Sequence, residues 1–105
     1  MVNRQKIQAF INEVGRKFQP EKILLFGSYA YGKPSFDSDV DILIIISFKG
    51  KNPEKATQIW LETKPDFPVD VMVRKPEEIR QRLKLGDPFI NEILQNGVLL
   101  YESNN

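Results

Sequence analysis

The sequence contains no cysteine and no histidine among its 105 residues. Without cysteine the chain cannot form disulfides or use a thiol nucleophile, and without either residue a structural zinc site is excluded. Without histidine it cannot use histidine as a general base or build a Ser-His pair. Any catalysis must therefore rest on carboxylates, hydroxyls, Lys, Arg, Tyr or a bound metal ion.

The chain also has little net charge, +1, and no long apolar run. A charge so close to zero gives no field that would draw the whole protein onto nucleic acid or an anionic membrane. The longest apolar run, residues 42–46, is too short to span a bilayer, and the first residues lack the apolar core of a signal peptide. We therefore expect one domain over residues 1–105, in the cytoplasm, without a membrane and without strong nucleic-acid binding by this domain alone.

Helical and extended patterns alternate along the chain. Apolar residues at spacings of three and four predict a first helix over about residues 3–18. Short apolar runs predict strands at 22–26, 40–47, 69–74 and 98–101, and proline at the favoured first turn predicts helices starting near 53, 76 and 88. Ser28 is predicted to cap a short helix that Gly32 ends. This order predicts an α/β (α+β) fold, a small mixed sheet flanked by helices.

Two aspartates open the most apolar strand. Asp39 and Asp41 point to the same face because side chains alternate along a strand, and their Cα atoms would lie ~6.6 Å apart. Two carboxylates at that distance repel by ~2.5 kcal/mol at an effective dielectric constant of ~20. A divalent cation with oxygen ligands would compensate this repulsion, and magnesium suits phosphate chemistry. A solvated strand start is the alternative explanation.

A glycine and a serine follow the first buried strand. Gly27 would let the backbone approach a ligand closely, and Ser28 would present a hydroxyl beside unpaired N–H groups at a helix start. Such a place suits a phosphate. An ordinary strand–helix turn would need the same two residues. Lys33, just after this segment, could contact phosphate or simply be solvated.

A third aspartate interrupts another apolar strand. Asp70 lies within Val69–Arg74, where it shares a face with Met72 and Arg74. If this strand lies beside the one that holds Asp41, three carboxylates converge, which is sufficient for two metal ions. A half-exposed strand position is the alternative. Arg74 could pair with Asp70 or touch a nucleotide.

These residues together resemble the polymerase-β-like nucleotidyltransferases. The signature is Gly27-Ser28, ten intervening residues, and Asp39-Val40-Asp41, followed by the third carboxylate at Asp70. The surrounding LLFGSYAYGKPSFDSDVDILI and the ending GVLLYE are similar to the minimal nucleotidyltransferase (MNT) branch. The resemblance covers nearly the whole chain.

The resemblance implies a role for each residue of the motif. Gly27 and Ser28 would hold the terminal phosphates of a nucleoside triphosphate, with Lys33 as a further nucleotide-binding candidate. Asp39 and Asp41 would bind Mg²⁺, and Asp70 would complete a site for two ions and help to deprotonate the attacking hydroxyl. The implied reaction is transfer of a nucleotidyl group, AMP from ATP, with release of pyrophosphate.

The resemblance also implies a partner. Members of the minimal branch act as antitoxins of HEPN toxins, which are RNases, and some transfer AMP onto a tyrosine of the toxin. We therefore expect a Mg-dependent protein adenylyltransferase that modifies and neutralises a HEPN partner. The alternative is a binding module that neutralises the partner by contact alone. A fragment of an RNA-modifying polymerase is a weaker alternative that the near-neutral charge disfavours. Homo- and hetero-oligomers are both compatible with the sequence.

Overall fold

A computed structural model describes residues 1–104. Helix α1 spans Arg4–Phe18, and Asn3 caps it by accepting a hydrogen bond from the backbone N–H of Lys6. Its buried residues recur at helical spacing, which is the pattern of an amphipathic helix packed on a core. The remaining elements follow in the order β1 Lys22–Phe26, α2 Ser28–Tyr31, β2 Val40–Ile45, α3 Asn52–Thr63, β3 Val69–Arg74, α4 Pro76–Lys84, α5 Pro88–Asn96 and β4 Val98–Glu102.

The four strands form one mixed sheet in the order β3-β2-β1-β4. Strand β1 pairs antiparallel with β2 and with β4, whereas β2 and β3 are parallel. Helix α3 makes the crossover that two parallel strands require. The predicted small mixed sheet flanked by helices is therefore confirmed.

The two faces of the sheet pack against different helices. One face, here called the α1 face, carries Ile23, Leu25, Ile42, Ile44 and Val73 and packs with α1 and Ile59 of α3. The opposite face, here called the carboxylate face, carries Leu24, Phe26, Asp41, Leu43, Asp70 and Met72. Helices α4 and α5 cover part of it through Ile79, Ile90 and Ile93.

Glycine at position 97 allows α5 to approach the sheet closely. A Cβ atom there would overlap the carbonyl oxygens of Ile93 and Leu25. Asp87 caps the other end of α5 by accepting from the backbone N–H groups of Phe89 and Ile90. These local features fix where α5 lies over β1.

The structure differs from the sequence-based expectations at three places. Ser28 does not cap α2: Gly27 occupies the cap position, and no side chain caps the helix. Strand β2 ends at Ile45, two residues before its predicted end. Beyond the strand, the backbone N–H of Ile46 still donates to the carbonyl of Arg74. The helical spacing of Ile79 and Leu83 predicts that both face inward, but Leu83 is exposed because the short helix α4 packs through Pro76 and Ile79.

The aromatic residues divide between core and surface. Phe67 packs edge-on against Phe10 with ring centroids 5.7 Å apart, whereas Trp60 is exposed on α3. Tyr29 is buried and its hydroxyl accepts a hydrogen bond from Val2, but Tyr31 is exposed. Over residues 1–104, none of the helices has the length and apolarity needed to cross a bilayer.

Candidate active site

Two aspartates lie side by side at one end of the sheet. Asp41 of β2 and Asp70 of β3 are paired in the parallel register, and Phe26 of β1 lies opposite Asp41 on the other side. Neighbouring strands are about 4.8 Å apart, so the two carboxyl groups project from adjacent positions of the carboxylate face. Asp41 is half-buried and Asp70 is exposed. The sequence predicted that Asp41 and Asp70 would converge if their strands were neighbours, and the structure has this arrangement.

Asp39 adds a third negative charge to this end of the sheet. It is exposed and lies just before β2 begins at Val40. Burial raises the pKa of Asp41, and repulsion from Asp70 and then from Asp39 raises it further. The main cause is the partial desolvation of the Asp41 carboxyl group, and the like charges of Asp70 and Asp39 add to it.

No basic side chain neutralises the three carboxylates. Within residues 1–104, Asp39, Asp41 and Asp70 form no ion pair with Lys or Arg. The raised pKa of Asp41 shows that this cluster disfavours its own ionised form. A cation bound from outside the chain would relieve that repulsion.

The donor set fits a magnesium ion that is shared with a phosphate. Across residues 1–104, no three acidic side chains are arranged to hold a metal ion by themselves. Magnesium is usually bound through one or two carboxylates, with water and substrate phosphates completing its coordination, so a pair such as Asp41 and Asp70 is a sufficient protein contribution. The metal-binding role of the three aspartates remains a prediction.

Gly27 and Ser28 adjoin the same carboxylates. Gly27 has φ 73° and ψ −158°, a conformation that side chains strongly disfavour. A Cβ atom at this position would also overlap the Oδ2 atom of Asp41. The glycine is therefore required twice, for its backbone conformation and for the approach of Asp41. Helix α2 begins directly after it. The N–H groups of Ala30 and Tyr31 donate to the carbonyl of Gly27, so those of Ser28 and Tyr29 are the ones in this turn without an intrahelical acceptor.

Lys33 lies two residues beyond the end of α2. Its backbone N–H donates to the carbonyl of Ser28, 3.1 Å away, and its side chain is exposed. This hydrogen bond fixes the backbone of Lys33 relative to Gly27-Ser28. The exposed side chain can extend toward a bound anion or away from it. Its nucleotide-binding role remains a prediction.

A groove of about 630 Å³ begins at Asp70 and follows β3. Its wall combines residues from five elements, among them Phe26, Arg74, Arg82 and Phe89. Phe26 and Phe89 are in edge-to-face contact, with ring centroids 5.8 Å apart. From the sequence, Arg74 is a candidate contact of Asp70 or of a nucleotide. The sequence pattern predicts Arg82 to be an ordinary exposed helix residue, and it places Phe89 on a helix without a role in a site. No local pattern could have identified them, because α4 and α5 reach the groove through tertiary packing.

The pattern of the Polymerase beta, Nucleotidyltransferase family matches residues 5–105. A relative from Methanocaldococcus jannaschii, the "Putative protein adenylyltransferase MJ0141", is 31% identical over 78 residues. That alignment spans 74% of this chain and 76% of the relative. The family match over residues 5–105 includes the whole sheet, so the similarity to the family extends well beyond the Gly-Ser and Asp-x-Asp motifs.

Solved structures share the fold at lower identity. A "putative nucleotidyltransferase from Sulfolobus solfataricus" superposes with a TM-score of 0.65 at 22% identity, over 93% of this chain and 78% of that one. A chain of a toxin-antitoxin crystallised with AMP-PNP superposes with a TM-score of 0.53, also at 22% identity, over 92% and 74% of the two chains. These likenesses establish a common architecture.

Proposed function

We propose that this chain, which belongs to the Polymerase beta nucleotidyltransferase family, transfers AMP from ATP to a hydroxyl group of a partner protein. The observation that carries the proposal is the in-register pairing of Asp41 with Asp70 beside Gly27-Ser28, with Asp39 close by and no basic residue to neutralise them. The name of the M. jannaschii relative supports adenylyl transfer to protein as the particular reaction.

The proposed reaction exchanges a phosphoanhydride bond of ATP for a phosphoester bond to the acceptor. The acceptor hydroxyl oxygen bonds to the α-phosphorus of ATP, the bond from that phosphorus to the pyrophosphate oxygen breaks, and pyrophosphate leaves. Asp70, which is exposed and has no bonded partner in the described chain, accepts the hydroxyl proton. Gly27-Ser28 and Lys33 hold the terminal phosphates. Asp39, Asp41 and Asp70 would hold Mg²⁺, which neutralises charge on the phosphate oxygens when bound.

We further propose that the partner is a HEPN toxin and that modification neutralises it. The proposal rests on the similarity of residues 24–44 to the minimal nucleotidyltransferase branch. The shared architecture with a toxin-antitoxin chain is compatible with it. A reaction of this kind works by positioning and charge neutralisation, which suits a protein without histidine.

The test uses ATP labelled at the α-phosphate. The protein, Mg²⁺ and labelled ATP are added to a lysate of the host, alongside the Asp39→Asn/Asp41→Asn double variant. The Asp66→Asn/Glu54→Gln variant is a matched control, because it removes two negative charges at exposed positions away from the carboxylate face. We expect a labelled protein in the wild-type and control reactions and none with the double variant.

Two other outcomes would change the assignment. A label that survives in the double variant would mean that the aspartates are not the catalytic groups. No label in any reaction, while a HEPN partner is still captured by pull-down, would favour a binding module that neutralises by contact alone.

A further inference from the structure

Strand β3, which carries Asp70, is an edge of the sheet. It pairs with β2 on one side only. Its other side faces the groove of about 630 Å³, which is lined by β3 itself, by the first turn of α3 and by α4 and α5. An edge strand within a groove can accept a further strand from another chain.

The outward peptide groups of β3 can be identified from its pairing. The carbonyls of Pro68 and Arg74 accept hydrogen bonds from β2 and the residue after it, so alternation directs Asp70 and Met72 toward β2 as well. The N–H and C=O groups of Val69, Val71 and Val73 therefore point away from β2, and Val71 and Val73 line the groove. Of this outward set in the described chain, the Val73 carbonyl is bonded to the Arg74 side chain, 2.7 Å away. The peptide groups of Val69 and Val71 are left to pair with a ligand.

The opposite edge of the sheet is protected. Gln8 of α1 donates a hydrogen bond to the carbonyl of Leu100 in β4, and the ring of Tyr101 lies directly against Gly15 of the same helix. Natural sheets often cover their edges in this way to prevent unwanted strand pairing. Helix α1 thus contacts the edge of β4, whereas the peptide groups of Val69 and Val71 in β3 have no hydrogen-bond partner within residues 1–104.

The charged groups of the groove are arranged along β3. Asp70 and Arg74 share one face of the strand, four residues and about 13 Å apart. Glu78 is occupied, because it accepts from the backbone N–H of Lys75 at 2.7 Å and from Asn52 at 3.2 Å. Arg82 is paired with Asp87. Arg74 bonds only a carbonyl and forms no ion pair within residues 1–104, although its charge helps to lower the pKa of Glu78.

We propose that the acceptor protein docks an extended segment along the edge of β3 at Val69–Val71. Its hydroxyl side chain lies at Asp70, and an acidic group about four residues away lies at Arg74. The inference rests on the proposed function, since it identifies how the acceptor of that reaction is held. The hydroxyl oxygen bonds to the α-phosphorus, pyrophosphate leaves and the proton passes to Asp70.

The experiment compares Val71→Pro with Val71→Ala. Proline removes the outward N–H at a position where an edge strand tolerates it, and alanine removes the same side-chain packing but keeps the N–H. The probe is the protein labelled by the wild-type chain in host lysate, purified and used with ATP and Mg²⁺. We expect Val71→Pro to raise KM for this acceptor about tenfold above that of Val71→Ala, with KM for ATP equal in both. Circular dichroism verifies that both variants are folded.

A second variant tests the charge. Arg74→Glu should raise the acceptor KM about tenfold or more, and Arg74→Lys should recover most of it. Equal acceptor KM values for Val71→Pro and Val71→Ala would overturn the docking mode. An increase in KM for ATP instead would overturn it too, because the groove would then hold the nucleotide. If the wild-type chain labels no protein, the proposed function fails, and this inference with it.

Discussion

The two faces of the sheet show how this small chain divides stability from chemistry. Among the described residues, thirteen buried side chains form the cluster on the α1 face, and six form the cluster on the carboxylate face. Strand β2 contributes to both, because Ile42 and Ile44 point to the first face and Leu43 and Ile45 to the second. One strand of alternating residues therefore supplies a thick core on one side and a thinner one on the other.

The acidic residues lie where the thinner core ends. On the carboxylate face, the row of Leu24, Leu43 and Met72 is packed under α4 and α5, and the next row is Phe26, Asp41 and Asp70. Charges there remain close to water and to a ligand, whereas one residue further along β2 the side chain of Ile42 is fully buried. The comparison teaches that the fold can accept repulsion between carboxylates on one face because the other face supplies most of the packing.

The largest expected effect is on activity. Asp70→Asn should lower the rate of AMP transfer by about a thousandfold or more, because it removes the proposed general base. Stability should change little, since Asp70 is exposed and unbonded within the described chain. Rates with purified acceptor and thermal unfolding check both statements. If Asp70→Asn retained the wild-type rate, Asp70 would not be the general base.

A mutation on the α1 face should mainly lower the stability of the fold. Ile42→Ala is expected to lower the free energy of unfolding by about 2–5 kcal/mol, since the side chain is fully buried in the larger cluster. Met72→Ala on the carboxylate face should cost less, because Met72 is only partly buried. Urea unfolding of both variants measures the difference. Equal losses would show that the two faces contribute similarly to stability.

Replacing Gly27 should affect both stability and activity. Gly27→Ala should destabilise the fold by about 1–3 kcal/mol, because φ 73° with ψ −158° is a conformation that almost only glycine adopts, and the overlap with Asp41 should add to that cost and displace the carboxylate. Gly86→Ala is the matched control, because Gly86 has φ 75° and open space around it. Unfolding and AMP-transfer rates of both variants are compared. We expect only the Gly27 variant to lose activity, and equal behaviour of the two would contradict a specific role for Gly27.

The smallest expected effect is a gain in stability. The pKa of Asp41 is raised above its ordinary value of 3.8 in the folded protein, so the folded state binds this proton more tightly than the unfolded chain does. The resulting cost is absent below pH 3.8 and is complete above the raised pKa. Asp41→Asn should therefore have a higher Tm than the wild type at neutral pH in the presence of a chelator, and the difference should shrink as the pH falls toward the ordinary value.

The stabilisation of the protein by Mg²⁺ is a second test of the charge on Asp41. Binding to the folded state alone should stabilise the wild type by about 1.4 kcal/mol at a Mg²⁺ concentration of ten times Kd. Asp41→Asn should respond less, because it has lost a ligand, and Asp66→Asn should respond like the wild type. A Tm that Mg²⁺ raises equally in all three proteins would place the ion elsewhere.

Much of the fold could be predicted because its signals are local. Prolines in the first turn marked the starts of α3, α4 and α5, and the apolar pattern of Val69–Arg74 matched β3 at both ends. The role of Ser28 was predicted less well, since a cap depends on backbone angles and Gly27 adopts angles that only glycine favours. The inward position of Leu83 was wrong because periodicity identifies a face of α4 without identifying how much of that face is covered.

The sequence by itself determined the family and the residues that we propose for its chemistry. The lack of cysteine and histidine, the spacing of Gly27-Ser28 from Asp39 and Asp41, and the resemblance of these motifs to nucleotidyltransferases are all properties of residue order. Only the tertiary structure decided that Asp70 lies beside Asp41, that the edge of β3 is open while the edge of β4 is covered, and that Phe89 and Arg82 reach the groove. The physical reason is that strand order, and the helices that pack over a sheet, depend on contacts between residues far apart in the chain, which no local pattern encodes.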